Sequence, residues 1–199
     1  KSEVLRICAQ LDGEIARFRE RTLAHTTFPY IFLDATYCKS VSALMWSRRR
    51  WSWRSGYRSR APAKYWVPRS AIVSHCQFWR EFLTGLKARG LAGVHLVISY
   101  AHAGLKAAVM QQFTSAAWQR CRVHFMRNLH GRVSAKQIPP VMAAVKTIFA
   151  HTEPEAIDQH WDQVADTLAP SFPKVAEMMR EAKPDVLAFT AFPKAHWQK

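Results

Sequence analysis

Apolar residues recur along this chain in three successive patterns. Near the start, Val4, Cys8, Leu11, Ile15 and Phe18 fall at helical spacing behind a possible Ser2 cap, so residues 3 to 21 are expected to form an amphipathic helix. A continuous apolar run follows, Phe28-Pro29-Tyr30-Ile31-Phe32-Leu33-Asp34-Ala35-Thr36-Tyr37, rich in aromatic and β-branched residues and read as a buried strand. Phe78, Phe82, Leu83 and Leu86 then mark a helix that should stop at Gly90 after Lys87 and Arg89, since a glycine and last-turn cations favour a C-terminus. A second buried strand is expected over 93 to 99, a helix over 103 to 113, a short strand over 118 to 121 and a helix from 122 to about 132. From Pro139 onward the pattern is helical throughout: Val141, Val145, Ile148 and Phe149, then Ile157, Trp161, Val164 and Leu168, then Val175, Met178 and Met179. Pro154, Pro170, Pro173, Pro184 and Pro193 are expected to punctuate these helices. No internal repeat or low-complexity linker interrupts the chain.

The interval between the first two strands is compositionally different. From Ala35 to Arg80 there is no Asp or Glu, while Lys39, Arg48, Arg49, Arg50, Arg54, Arg58, Arg60, Lys64, Arg69 and Arg80 supply ten of the positive charges. Five of the eight tryptophans lie there too, Trp46, Trp51, Trp53, Trp66 and Trp79. Basic residues interleaved with aromatics can hold single-stranded nucleic acid by phosphate contact and base stacking. The plain alternative is a solvated charge run. Little in the interval alternates with period two, although 41 to 46 or 65 to 73 could supply edge strands.

Over the whole chain of 199 residues the formal net charge is +15 and the pI about 10.2, against 49% hydrophobic residues. That is enough apolar material for a core, one domain is expected at this length, and the charge favours a polyanionic partner, because each cation on a phosphate releases counterions. Charge alone does not separate DNA from RNA or an anionic membrane. No run is apolar enough to span a bilayer and the first residues carry no signal-peptide core, so a soluble cytoplasmic protein with no membrane partner is expected. Cys8, Cys38, Cys76 and Cys121 form no Cys-x-x-Cys pair, which argues against a zinc finger and for free thiols in a reducing compartment. A metal-binding structural module is disfavoured for the same reason.

Three stretches carry a resemblance: the strand ending in Asp34, the segment Ile98-Ser99-Tyr100-Ala101-His102, and Cys121-Arg122-Val123-His124-Phe125-Met126-Arg127-Asn128-Leu129. Together they resemble the Mutator-like transposases of bacterial insertion sequences, over residues 1 to about 39 and about 77 to 199. The resemblance implies an α/β fold: an incomplete ribonuclease-H-like core with a helical insertion at the C-terminal end. It divides the chain into a helix over 1–24 leading from an upstream DNA-binding region, a core over 25–132 and a helical insertion over 133–199. It also implies Mg²⁺ held by an Asp-Asp-Glu set, and two-metal phosphoryl transfer that cuts DNA at the element ends and joins it to target DNA.

Asp34 matches the first catalytic and metal-binding aspartate; the bland reading is a turn aspartate. The second aspartate is expected where this chain has Tyr100. A phenol with an ordinary pKa of about 10 is neutral near pH 7 and cannot replace a carboxylate toward a hard cation. The third acid is expected beyond the helical insertion, and neither Glu153 nor Glu155 matches its motif. Cys121 and His124 match a Cys-x-x-His element of the family, with packing and hydrogen bonding preferred to metal binding because zinc wants about four ligands. His102 could meet phosphate or merely begin a helix. Arg48, Arg49, Arg50, Arg54, Arg120, Arg122 and Arg127 are the DNA-binding candidates, with Arg132 beside them.

The resemblance stops and resumes abruptly around the acid-free interval. Residues 40 to 76 are therefore expected to be translated out of frame, by two compensating shifts. The expected function is DNA transposition of an insertion sequence, by a truncated, degraded copy without catalysis. The alternative is a non-catalytic basic nucleic-acid-binding protein, or a transposition inhibitor that pairs with intact copies. DNA ends, target DNA and further copies of the chain are the expected partners.

Overall fold

A computed structural model describes residues 2–42, 45–58, 61–71 and 76–197, with side chains over 3–35 and 76–197. The chain is mixed α/β. Helix α1 (Ser2–Glu20) leads into β1 (Tyr30–Ser42), β2 (Met45–Arg58) and β3 (Ala61–Ala71), followed by α2 (Cys76–Ala88), β4 (Leu96–Ser99), α3 (Ala103–Gln112) and β5 (Ala117–Arg120). Then α4 (Arg122–His130), α5 (Ile138–Ile148), α6 (Pro154–Leu168) and α7 (Pro173–Val186) complete the described elements with three short 3-10 turns. The strand order is β3-β2-β1-β4-β5. Two compact units divide the chain, one made of residues 1–97 and 102–116, the other of 98–101 and 117–199.

In the first unit, β1 pairs antiparallel with β2 from Tyr30↔Tyr57 to Ser42↔Met45. β2 pairs antiparallel with β3, with an irregularity between Arg50 and Ser52. The interval expected to hold little regular strand therefore has two long ones. Arginine, serine and aromatic residues tolerate an extended chain, and pairing of β2 on β1 and of β3 on β2 satisfies backbone groups that would otherwise need water. β4 is shorter than the 93 to 99 expected, because Gly93 has φ +70°, which interrupts the extended backbone.

The core of this unit joins β1 and β4 to the apolar faces of α2 and α3. Ile31, Leu33, Leu96 and Val97 are buried with Trp79, Phe82, Leu83, Leu86, Leu105 and Val109. Phe78, Trp79 and Phe82 form an aromatic cluster, Trp79 edge-on to both neighbours at 5.4 and 5.9 Å. The turn after α2 is fixed by Gly90. Its φ is +91°, and a Cβ there would lie 2.7 Å from the Cβ of Ala24 and 2.8 Å from its nitrogen. The close approach lets Leu23 N donate to the Arg89 carbonyl at 2.6 Å, and Arg89 Nε in turn donates to the Arg21 carbonyl at 3.0 Å.

In the second unit the helices surround Trp161. It is fully buried, stacked on Phe125 at 5.4 Å, edge-on to Phe149 at 6.3 Å, and its Nε1 donates to the Met179 carbonyl at 3.0 Å. Val141, Val145 and Ile148 of α5, Ile157, Val164 and Leu168 of α6, and Val175, Met179 and Val186 of α7 close around it. Proline starts α5, α6 and α7 at positions where the missing N–H is not needed. Pro184, expected to end a helix, instead lies inside α7. It sits in the last turn, where few helical bonds depend on it. Lys183 ties α7 to α6 through Asp158 at 2.9 Å and Asp162 at 2.7 Å. Burial lowers its pKa, but the hydrogen bonds to those carboxylates outweigh burial and hold it above the ordinary value.

The two glycines of the α2 region give a paired test. Gly90→Ala should destabilise the protein by more than about 1 kcal/mol, from left-handed strain and contact with Ala24. Gly85, inside α2 with nothing near its missing Cβ, should behave oppositely: Gly85→Ala should stabilise by about 0.5 to 1 kcal/mol in urea unfolding.

Candidate functional site

Asp34 lies on β1, in the first unit, in register with Trp53 of β2. Its side chain is half-buried and its Oδ1 accepts from the Ala35 amide at 2.8 Å. The strand reading of this aspartate therefore holds, and the carboxylate faces its own following backbone. His102, in the same unit, caps α3: its Nδ1 accepts from Leu105 N at 3.3 Å and its carbonyl accepts from Lys106 N at 2.9 Å. Of the two roles open to His102, the helix-starting one is the observed contact.

Tyr100, Cys121 and His124 come together in the second unit. The chain leaves β4 at Ser99, whose carbonyl accepts from Cys121 N at 2.7 Å. Ser99 is 1% exposed, and its hydroxyl donates to the Tyr100 carbonyl at 3.0 Å while accepting from Trp118 Nε1 at 2.9 Å. One hydroxyl thus joins the end of β4 to β5. The Tyr100 ring lies 5.8 Å from the His124 ring, tilted by 43°. Cys121 is the cap residue of α4, its carbonyl accepting from Phe125 N at 2.9 Å, and its thiol is not in a disulfide.

The three arginines of this region have different surroundings. Arg120 lies over the Phe125 ring at 5.3 Å; with the Asn128 amide turned so that both its polar atoms are satisfied, Arg120 Nη2 donates to its oxygen at 3.0 Å and its nitrogen donates to the His124 carbonyl at 3.3 Å. Burial lowers the pKa of Arg120, opposed by the charges of Asp185 and Glu181. Arg122 lies over Phe149 at 4.5 Å; burial lowers its pKa too, opposed by Cys121. Arg127 is exposed. Arg122 and Arg127 border an open cleft of about 860 Å³ with Met126, Lys146, Phe149 and Trp197. Periodicity had not marked Lys146 or Trp197 as parts of this surface.

The backbone of Arg48, Arg49, Arg50 and Arg54 runs in β2, and their side chains lie outside the described ones. Arg132 is exposed after α4. Glu153 precedes α6 and holds Lys194 Nζ at 2.6 Å, and Glu155 lies in the first turn of α6. Among the described residues no three His, Cys, Asp or Glu side chains form a group able to hold a metal ion. The donor set in hand, with a tyrosine between Ser99 and Ala101, does not fit a Mg²⁺ site built from carboxylates. No helix of the described residues is long and apolar enough to cross a membrane.

Asp34, expected at the end of its strand, lies inside β1, because pairing with β2 carries the strand on to Ser42. The chain belongs to the Mutator family of transposases, whose sequence profile matches residues 1–44 and 72–199. The transposase for insertion sequence element IS1081 of Mycobacterium tuberculosis is 33% identical over 199 residues, covering all of this chain and 48% of that relative. The transposase for insertion sequence element IS406 of Burkholderia multivorans is 31% identical over 98% of the chain and 50% of its own length. The transposase for insertion sequence element IS256 in transposon Tn4001 of Staphylococcus aureus is 31% identical over 77% of the chain and 39% of its own length. The chain spans about half the length of the curated relatives it matches or less. Residues 45–71, which the profile passes over, fall inside the acid-free interval.

The Ser99 clamp can be tested directly. Ser99→Ala removes the acceptor of a buried indole N–H and should cost about 1 to 3 kcal/mol. The Trp118 indole proton should exchange with solvent faster in the variant, as read by NMR.

Proposed function

We propose that this chain is a transposase segment that binds DNA through its basic surface and does not cut it. The observation that carries the reading is membership of the Mutator family combined with Tyr100 where the family's second aspartate is expected. The single five-stranded sheet of order β3-β2-β1-β4-β5, with β1, β2 and β3 antiparallel and β1, β4 and β5 its parallel part, supports a ribonuclease-H-like ancestry for the core. Asp34 at the first strand is in keeping with that ancestry. The Cys121-His124 turn has a packing role in this reading, since Tyr100 and the Arg120–Asn128 pair occupy its surroundings. DNA cleavage and joining belong to copies that carry the full acid set, and the name transposase applies to this chain by descent. Residues 40 to 76 are a frameshifted replacement of ancestral sequence, which their lack of acids and the gap in the profile match support.

DNA is the partner, held by phosphate contacts without base readout. Arg122, Arg127 and Lys146 at the cleft, and the arginines of β2, provide the cations. If six of them meet phosphates, the slope of log K against log salt should be roughly −5 on duplex DNA. Replacing Arg48, Arg49 and Arg50 together by alanine should flatten that slope in an anisotropy titration. An unchanged slope would move the footprint to the Arg120–Arg132 region, and a slope near zero in the parent chain would remove DNA as an electrostatic partner.

Catalysis gives the second test. With a phenol in place of a carboxylate, no Mg²⁺- or Mn²⁺-dependent nicking of element-end DNA is expected, and Asp34→Ala should change nothing in that assay. Metal-dependent nicking by the unaltered chain, lost in Asp34→Ala, would overturn the non-catalytic reading.

A further inference from the structure

Helix α1 presents an apolar seam to solvent. Every residue from Glu3 to Glu14 is exposed, with Val4 at 63% and Leu11 at 51%, and Cys8 is an exposed free thiol. The helix is tied down at its last turn, where Arg89 Nη2 donates to the Phe18 carbonyl at 3.5 Å and Arg21 caps the Phe18 ring at 4.3 Å. Along the helix the apolar positions run Val4, Cys8, Leu11, Ile15, Phe18, with separations that alternate between four and three. That is a heptad pattern, Cys8 and Ile15 at the a position and Val4, Leu11 and Phe18 at d, and a seam of this kind is covered by another helix that carries the same repeat.

We propose that two copies of this chain pair through α1 as a parallel, in-register coiled coil. The occupant of the seam is a second copy because the flanking charges complement one another across a two-fold axis. In a parallel pair each g residue meets the e residue five positions on in the other helix. Glu14 at g thereby faces Arg19 at e of the second copy, and the contact occurs twice by symmetry. Antiparallel pairing in the register that aligns these seams sets e against e, and places the two Asp12 side chains opposite each other, which like charges oppose. Leu5 at e and Ile7 at g widen the apolar strip beside the seam. With fewer than three full heptads the pair is a reversible one, held at micromolar or weaker concentrations.

Cys8 makes the register testable. The parallel arrangement puts both Cys8 thiols in one layer of the seam, where dioxygen with a copper–phenanthroline catalyst joins them. One S–S bond forms, two protons leave and two electrons pass to dioxygen. The experiment uses the full chain at salt high enough to strip bound nucleic acid. Sedimentation equilibrium should show a concentration-dependent monomer–dimer exchange, and oxidation should trap a dimer that Cys8→Ser abolishes. Leu11→Asp should weaken association at least tenfold while leaving the thermal unfolding of the rest of the chain unchanged, because the seam lies outside both cores. Glu14→Arg should weaken the dimer and the Glu14→Arg, Arg19→Glu double exchange should restore it. A chain that stays monomeric, a dimer indifferent to Leu11→Asp, or a dimer in which Cys8 does not cross-link would overturn the proposal.

Discussion

The burial of Trp161 is the constraint on which the second unit depends. An indole is costly to leave in water and needs a partner for its N–H once it is removed from water. Here Phe125 covers one face, Phe149 meets its edge and the Met179 carbonyl receives the N–H. Those three contacts come from α4, the end of α5 and α7, so one side chain of α6 sets the position of three neighbouring segments. The consequence reaches the chemistry. Phe125 lies one residue after His124 and four after Cys121, so its stacking on Trp161 orients the first turn of α4. Cys121, Arg122 and His124 are then arranged by the packing of the aromatic side chain that follows them on α4.

A second, smaller constraint acts at the end of β4. The Ser99 hydroxyl is both donor and acceptor, and it is buried, so its two partners are fixed together. The residue that follows is Tyr100. Tyrosine places an aromatic ring beside His124 and leaves the local backbone intact. The geometry at the end of β4 is held by the hydrogen bonds of Ser99 with Cys121 and Trp118 and not by the side chain at position 100.

The first unit shows how glycine and arginine act as fixed points in a basic chain. Gly90 permits a backbone approach that no other residue allows, and Arg89 uses it to reach carbonyls at the end of α1. The Arg89 guanidinium lies in a partly buried setting where burial lowers its pKa, with Arg21 adding to the effect. One of the many cations of this chain is thus committed to joining α1 and α2. The charge total by itself does not reveal that commitment, just as it did not reveal that Arg120 is engaged by Asn128.

The apolar periodicity alone determined the first helix, the Asp34 strand, and the helices now seen as α2, α3 and α4; the strand and α2, α3 and α4 bury apolar residues at the spacing it records, while most of α1 is exposed. It also determined the helical character beyond Pro139. The residue types at 34, 98 to 102 and 121 to 129 were enough to place the chain among Mutator transposases, because those segments combine chemistry and spacing that core packing does not require. Tertiary structure decided the rest. The length of β2 depends on pairing with β1 and that of β3 on pairing with β2, interactions that period-two patterning reports only when one face is buried. Pro184 within α7 depends on its place in the last turn, and the start of β4 on a positive φ at Gly93. The meeting of Tyr100 with His124, and of Ser99 with Trp118, joins residues 24 and 19 positions apart. Such contacts are set by which faces the folded chain brings together, and a linear pattern of polar and apolar residues carries no record of them.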